Sequence, residues 1–342
     1  MLKGYNSCIV KTGPLAAIDI GTNTFRLLIA NVRFNPLKNT FSIREIFSDR
    51  IITRLGEGLE SDGLLKKQAI TGGLAALRKF SDSIDRHRVY KTSAVATSAL
   101  REAKNSDDFI GKAKGLTGLD IKIISGEEEA RLTASGMLTD IAAPETALMT
   151  DIGGGSTELI FARRGKPVIV KSIDLGVVYL AGKYMRHDPP LKEDLTAMDR
   201  CVSLRLGKSM KPYLKLITHD SKPGTVFIGT AGTITTLAAV MKKLDRFEHK
   251  KVHRTRLTLE KVKSIFSAIS GITSVERAKF LPFGPERLDI IVPGTLILLK
   301  LMEISGFREI IVSDYGLREG ILIELHKELS GTDERESFKT PD

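Results

Sequence analysis

A twelve-residue pattern occurs twice in this chain. "DIGTNTFRLLIA" begins at Asp19 and "DIGGGSTELIFA" at Asp151, 132 positions apart (151 − 19). Both copies open with Asp-Ile-Gly, pass through small or polar residues and continue as an apolar segment, with Leu27 matching Leu159 and Ala30 matching Ala162. A chain that repeats a unit must place both copies in equivalent surroundings, so the repeat constrains the fold before any other signal. Two copies this far apart point to a duplicated domain instead of a solenoid of short repeats.

Each copy has the same local form. An apolar strand, "LAAIDI" or "ETALMTDI", ends in an acid and a glycine, and a second strand, "FRLLIA" or "TELIFA", follows. That is a hairpin with a tip of Gly, Thr, Ser and Asn. Glycine lets a ligand approach the main chain. Main-chain N–H groups at such a tip converge on an anion, most often phosphate. The hydroxyls of Thr22, Thr24, Ser156 and Thr157 add donors. A simple turn is the alternative for either copy alone; two copies, each preceded by an aspartate, favour the phosphate cradle.

The chain has 342 residues, enough for two domains. Its 42% hydrophobic and 27% charged residues are those of a globular protein. Cys8 and Cys201 cannot build a disulfide framework, which fits a reducing cytoplasm. No signal-peptide core is expected at the N-terminus. No apolar run reaches a membrane span; Pro293 and Gly294 interrupt the nearest one, "IIVPGTLILL". The net charge of +11 calls for an acidic partner: nucleic acid, anionic lipid or a phosphate-rich small molecule. The densest basic run, residues 242–256, reads as a solvated loop and helix end or as a polyanion-guiding strip.

Strands and helices alternate along the rest of the chain, so the fold class is α/β. A strand is expected near 41–53 and a helix from Ser61 or Asp62. "SGEEEARLTASGML" opens a helix with a capping box from Ser125 to Glu128. A helix-rich zone runs from about 176 to 216. "GTVFIGTAGTITTLAAV" reads as strand, glycine-rich turn and helix, with Gly232 and Thr233 at an anion-binding helix start. "PERLDIIVPGTLILLKLMEIS" reads as one long helix kinked at Pro293. Thr258 is the expected cap of the helix after it. The tail from 330 to 342 reads as disordered.

The two Asp-Ile-Gly hairpins, "GTAGTITTL" and "SDYGLREG" resemble the acetate kinase/Hsp70/actin superfamily. Within it, "AIDIGTNTFRLLI", "VATSALREAKN", "ISGEEEARLTASG", "DIGGGSTELI", "RLDIIVPG" and "VSDYGLREGIL" resemble, in order, the exopolyphosphatase and guanosine pentaphosphate phosphohydrolase family. The resemblance covers residues 15–328. It implies two actin-like, ribonuclease H-like domains with the site in the cleft between them. Domain I would span 14–134 and domain II 135–315, with a C-terminal helix, 316–329, packing back on domain I.

The resemblance also implies roles. Glu129 matches the catalytic glutamate, although acids in a first helical turn also favour the helix dipole and the run Glu127-Glu128-Glu129 leaves a one-residue ambiguity. Arg101 resembles the phosphate-binding arginine; a surface arginine is the alternative. Asp151 and Glu158 look like Mg²⁺ ligands, with Asp19 in a lesser part, as hard oxygen donors suit Mg²⁺. An outward-pointing strand residue is the plainer reading of Glu158. Thr22, Asn23 and Thr24, with Gly153, Gly154, Gly155, Ser156 and Thr157, would hold phosphate oxygens. Arg26 and Arg287 resemble positions near the substrate, and each fits a structural ion pair equally well. The dipeptides His187-Asp188 and His219-Asp220 read as surface loops, and the additional His-Asp hydrolase domain of longer family members is not expected here.

The expected activity is Mg²⁺-dependent release of terminal orthophosphate from inorganic polyphosphate, guanosine pentaphosphate or both, by a cytoplasmic protein that forms a homodimer. A kinase or ATPase of the same superfamily is the first rival; "GTAGTITTL" lies where those relatives hold adenosine, but the "EEAR" segment is not characteristic of them. A non-catalytic alarmone or RNA binder is the second rival, and no aromatic-rich RNA motif supports a nucleic-acid partner.

Overall fold

The computed structural model describes residues 13–36, 40–139, 144–219, 224–281 and 288–331. Cys8, Arg287, Asp220 and the tail beyond Gly331 lie outside the described residues, as does the side chain of His219.

The repeat emerges as two sheets of matching design. The first comprises β1 (Leu15–Ile20), β2 (Thr24–Asn35), β3 (Thr40–Ile52), β4 (Lys91–Ala96) and β5 (Ile121–Ile123), in the order β3-β2-β1-β4-β5. The second comprises β6 (Thr146–Ile152), β7 (Thr157–Arg163), β8 (Lys166–Ile173), β9 (Thr225–Thr230), β10 (Arg256–Thr258) and β11 (Glu309–Val312), in the order β10-β11-β9-β6-β7-β8. With β10 set aside as an edge addition, the two sheets share one strand order. In both, the first three strands are antiparallel and the fourth runs parallel to the first. The fold is the expected α/β pair of actin-like, ribonuclease H-like lobes.

The first lobe carries α1 (Leu59–Asp62), α2 (Lys67–Arg86), α3 (Ser98–Glu102) and α4 (Ser106–Thr117). One long helix from Ser61 or Asp62 does not form. Gly63, at φ +74°, ends α1 in the left-handed conformation, and α2 starts only at Lys67. Next come α5 (Gly126–Leu138), then α6 (Val177–Tyr184), α7 (Lys192–His219), α8 (Ala231–Met241), α9 (His249–Val252), α10 (Leu259–Ser270), α11 (Ser274–Phe280), α12 (Ile291–Ser305) and α13 (Leu317–Ser330). Thr258 caps α10 as expected, accepting from the Lys261 N–H at 3.3 Å.

Two expectations for the second lobe need correction. The kink at Pro293 is absent, because α12 begins at Ile291 and places Pro293 in its first turn, where a missing N–H costs no helical hydrogen bond. No separate glycine-rich turn divides β9 from α8. Ala231 alone makes the reversal, at φ +74°, a conformation that disfavours a residue with a Cβ.

The helices that follow the fifth strands cross over. α13 buries Leu317, Ile321, Leu322 and Leu325 against Leu15, Ala17, Leu28 and Ala30 of the first sheet. α5 buries Ala130, Ala134 and Met137 against Ala147, Met149 and Ile160 of the second. Full burial of each large apolar side chain stabilises by roughly 1.5–3 kcal/mol, so the exchange ties the lobes together. Where α5 and α13 meet, glycine is required. A Cβ on Gly320 would come within 2.5 Å of the Leu132 carbonyl carbon and closer still to its oxygen. A Cβ on Gly136 would be 2.9 Å from the Gly316 carbonyl carbon. A further interlobe tie is the ion pair of Arg54, just after β3, with Asp289, just before α12, at 3.0 Å.

Candidate active site

Strand register sets the acids. Asp151 of β6 pairs with Thr230 of β9 on one side and Glu158 of β7 on the other, and Glu158 pairs with Ser172 of β8. Residues directly opposite each other share a face, with Cβ atoms roughly 5 Å apart, so two carboxylates are held side by side. The matching row of the first sheet places Arg26 opposite Asp19. Arg26 and Glu158 thus occupy equivalent positions of the repeat. In the first copy the aspartate faces a guanidinium; in the second it faces another acid, and the pair calls for a cation from elsewhere.

Helix α5 adds the third acid to this row. Ser125 caps it by accepting from the Glu128 N–H at 3.1 Å. The reciprocal half of the expected capping box does not form, because the Glu128 carboxylate turns outward to Lys122 at 2.6 Å. Glu129 turns inward, its side chain 13% exposed, and meets Arg101 Nη1 at 3.4 Å. Among the three consecutive acids, helical phase therefore separates the cap residue from the one facing the cluster. Arg101 is itself aimed by a hydrogen bond from Nη1 to the Ile124 carbonyl at 2.9 Å.

The electrostatics join both lobes. Burial holds Glu129 well above the usual carboxylate range; the charges of Glu158 and Asp151 add to this and Arg101 opposes it. Burial raises Glu158 to about 7, with Asp151 adding and the hydroxyls of Ser156 and Ser172 opposing. Burial raises Asp151 to about 6 against the pull of Arg26. Burial raises Asp19 too, against Arg26 and Arg318. Asp19 and Arg26 belong to one sheet and Asp151 and Glu158 to the other, so one cluster forms at the junction of the lobes.

A pH dependence follows from these directions. Glu158 binds its proton more tightly folded than unfolded. Its contribution to stability is complete below its ordinary 4.5 and is lost as pH rises through about 7. Without divalent cations, the wild-type melting temperature is expected to fall more between pH 5 and pH 8 than that of Glu158→Gln. Thermal melts at the two pH values check the difference.

The glycine tips abut. A Cβ on Gly155 would lie 2.8 Å from both Ser98 Cβ and Thr22 Oγ1, and one on Gly154 would lie 3.1 Å from Thr22 Cβ and 3.3 Å from the Asn23 amide nitrogen. Both turns close alike: Gly21 N–H donates to the Thr24 carbonyl at 3.2 Å and Gly153 N–H to that of Ser156 at 2.9 Å. Those two N–H groups are therefore taken. The N–H groups of Gly154, Gly155 and Ser156 have no acceptor among the described residues.

The hydroxyls divide differently from expectation. Thr157, fully buried, donates to the Leu175 carbonyl at 2.5 Å, and the Ser156 hydroxyl favours the charged form of Glu158. A buried hydroxyl must find an acceptor, so the Thr157 hydroxyl is not left for a ligand. The Thr24 hydroxyl accepts from Asn23 Nδ2 at 3.4 Å. Thr22 and Asn23 hold the loop through their carbonyls, which accept from Gly56, Thr53 and Arg54 N–H groups. Gly232 and Thr233 begin α8, but Thr233 is buried and packs on Gly294 of α12, where a Cβ would overlap it. A cavity of about 330 Å³ borders the tip contact, lined by Thr22, Ser98, Gly155, Asp174, Tyr179 and Arg205; none of the four acids lines it.

Both remaining sequence motifs have structural partners. Asp188 accepts from Ser274 Oγ at 2.6 Å and pairs with the buried Arg277 at 3.1 Å, and His187 Nδ1 is 2.8 Å from Asp194. In the basic stretch, Glu248 pairs with Lys251 at 2.9 Å and Arg246 at 3.8 Å. Sequence reasoning missed Ser172 and Arg318, which register and the return of α13 bring to the cluster, and Ser98, which α3 places against the Gly155 tip. The only available signal for Arg318 was its place inside "SDYGLREG".

Residues 36–329 match the model of the Ppx/GppA phosphatase family. The chain belongs to that family. Exopolyphosphatase 2 of Mycobacterium tuberculosis is 29% identical over 321 residues, 91% of this chain and 98% of that protein. A bifunctional 3-dehydroquinate synthase/phosphatase of Fusobacterium nucleatum is 32% identical over 90% of this chain and 46% of its own length. Among solved structures, the Ppx/GppA family member of Aquifex aeolicus is 32% identical, with a TM-score of 0.74 over 92% of this chain and 98% of that one. An exopolyphosphatase of Cytophaga hutchinsonii is 26% identical, with a TM-score of 0.80 over 93% and 98%. As a Ppx/GppA phosphatase the chain is a hydrolase of phosphate substrates. No helix among the described residues is long and apolar enough to cross a membrane.

Proposed function

We propose that this Ppx/GppA phosphatase is a Mg²⁺-dependent exophosphatase that releases terminal orthophosphate from inorganic polyphosphate, guanosine pentaphosphate or both. The observation that carries this reading is the inward-facing Glu129, set between Arg101 and the Asp151–Glu158 pair.

The donor set fits Mg²⁺. No three His, Cys, Asp or Glu side chains among the described residues enclose a metal by themselves. Mg²⁺ usually takes one or two carboxylates and completes its shell with water and substrate phosphates. Asp151 and Glu158, paired in register and neutralised by no opposing guanidinium in their own row, suit that role, with Asp19 nearby. The ion, when bound, would neutralise charge on the transferred phosphoryl group and lower the proton affinity of the surrounding acids.

The protein's own groups supply the rest. The Gly154, Gly155 and Ser156 N–H groups bind phosphate oxygens and hold the chain end in place. Arg101 presents Nη2 to the departing phosphoryl while Nη1 stays on Ile124. Glu129, ionised, orients a water and accepts its proton as the oxygen attacks the terminal phosphorus. The leaving group is a phosphate oxygen, which departs without a strong acid.

Purified protein with Mg²⁺ is expected to release orthophosphate from short polyphosphate, long polyphosphate and guanosine pentaphosphate when the three are assayed side by side, and the relative rates rank them. Transfer only to an added acceptor, with no orthophosphate, would replace this reading by a kinase.

A further inference from the structure

Ser172 lies at the end of the acid row, in register with Glu158. Its Oγ donates to Glu158 Oε1 at 2.7 Å. The same side chain fills the space against the first residue of α5: a Cβ on Gly126 would come 2.7 Å from Ser172 Oγ and nearer still to Ser172 Cβ, with Arg101 Nη2 3.8 Å away. Gly126 stands three residues before Glu129 on that helix. One small side chain therefore touches both a buried carboxylate of the second sheet and the helix that presents the third acid.

We infer that Ser172 is a positioning residue for the phosphohydrolase site: its hydroxyl fixes the Glu158 carboxylate, and its packing on Gly126 sets the distance from that carboxylate to Glu129. The inference rests on the Mg²⁺-dependent reading above. Without the hydroxyl, Glu158 Oε1 loses a donor and the carboxylate is held less firmly in its place beside Asp151. A side chain larger than serine would displace α5, whereas alanine keeps the packing and removes only the hydrogen bond. Groups that orient metal-ligating carboxylates typically change metal affinity or activity by about 10- to 100-fold when removed.

The test compares wild type, Ser172→Ala and Ser172→Cys as full chains. Calorimetry with Mg²⁺ and no substrate gives the ion's dissociation constant, phosphate release gives kcat and KM, and thermal melts give stability. The expected result is Mg²⁺ binding weakened about 10- to 100-fold in Ser172→Ala, with lower kcat, little change in KM and a melting temperature close to wild type. Ser172→Cys, a weak S–H donor with a larger atom against Gly126, presses on α5 and is expected to weaken Mg²⁺ binding at least as much as Ser172→Ala, with a lower melting temperature. Unchanged Mg²⁺ affinity in Ser172→Ala, with or without a lower melting temperature, would overturn the inference and leave the Mg²⁺-dependent reading intact. Wild type that neither binds Mg²⁺ nor releases orthophosphate would overturn both.

Discussion

Glu129→Gln is expected to lower kcat by about 10²- to 10⁴-fold, the usual contribution of a positioned general base, while the protein stays folded. The amide keeps the shape of the carboxylate but cannot take a proton from water. KM should change little, because Glu129 faces the attacking water and the cradle N–H groups hold the phosphate chain. Stability should not suffer. Burial and the charges of Glu158 and Asp151 already disfavour an ionised Glu129, so a neutral side chain removes a repulsion. Arg101 keeps its hydrogen bond to Ile124 when the contact at 3.4 Å is lost. Near neutral pH and without divalent cations, the variant is expected to melt at or above the wild-type temperature. Orthophosphate release and a thermal melt on one preparation check both halves. Wild-type turnover in a folded Glu129→Gln protein would assign the base elsewhere.

Gly320→Ala is expected to be the most damaging single-methyl change in the interlobe contact. The new Cβ would press on the Leu132 carbonyl and come 3.1 Å from the Leu132 Cα. Main chain cannot rotate aside as a side chain does. α5 and α13 must separate, and overpacking of this kind costs about 1–3 kcal/mol, occasionally more. α13 anchors on the first sheet and α5 on the second, so separation also shifts Glu129 relative to Asp19. Denaturant melts should show a loss of about 3 kcal/mol, together with a fall in kcat. An alanine at Gly207, where nothing lies within 4 Å of the added Cβ, is the matched control and should be tolerated.

Much of this arrangement is legible in the residues. The spacing of Asp19 and Asp151 marks two equivalent hairpins, and the two sheets built on them share one strand order. Ser125 and Thr258 marked their helix starts correctly, because side-chain capping is a local interaction. Non-local features were not legible. The resemblance points to Glu129 with a one-residue ambiguity, and the outward turn of Glu128 and inward turn of Glu129 depend on the direction in which α5 meets the second sheet. The loss of the Thr157 hydroxyl to Leu175 depends on how the chain returns after β8. The contact of Gly155 with Ser98 and Thr22 depends on how the lobes approach. Ser172 carries no motif at all; only its register opposite Glu158 gives it a place. The helix expected from Ser61 failed for a local reason, since a left-handed Gly63 interrupts an otherwise helical apolar pattern.

The central claim is that Glu129 aims a water at the terminal phosphorus of a chain held between the two lobes. Hydrolysis of short polyphosphate in ¹⁸O-labelled water tests it most directly. Mass spectrometry should find the label in the released orthophosphate, one water-derived oxygen for each bond broken. Label on the new chain end would place attack on the penultimate phosphorus, and unlabelled orthophosphate would mean that water is not the acceptor; either result would contradict the account.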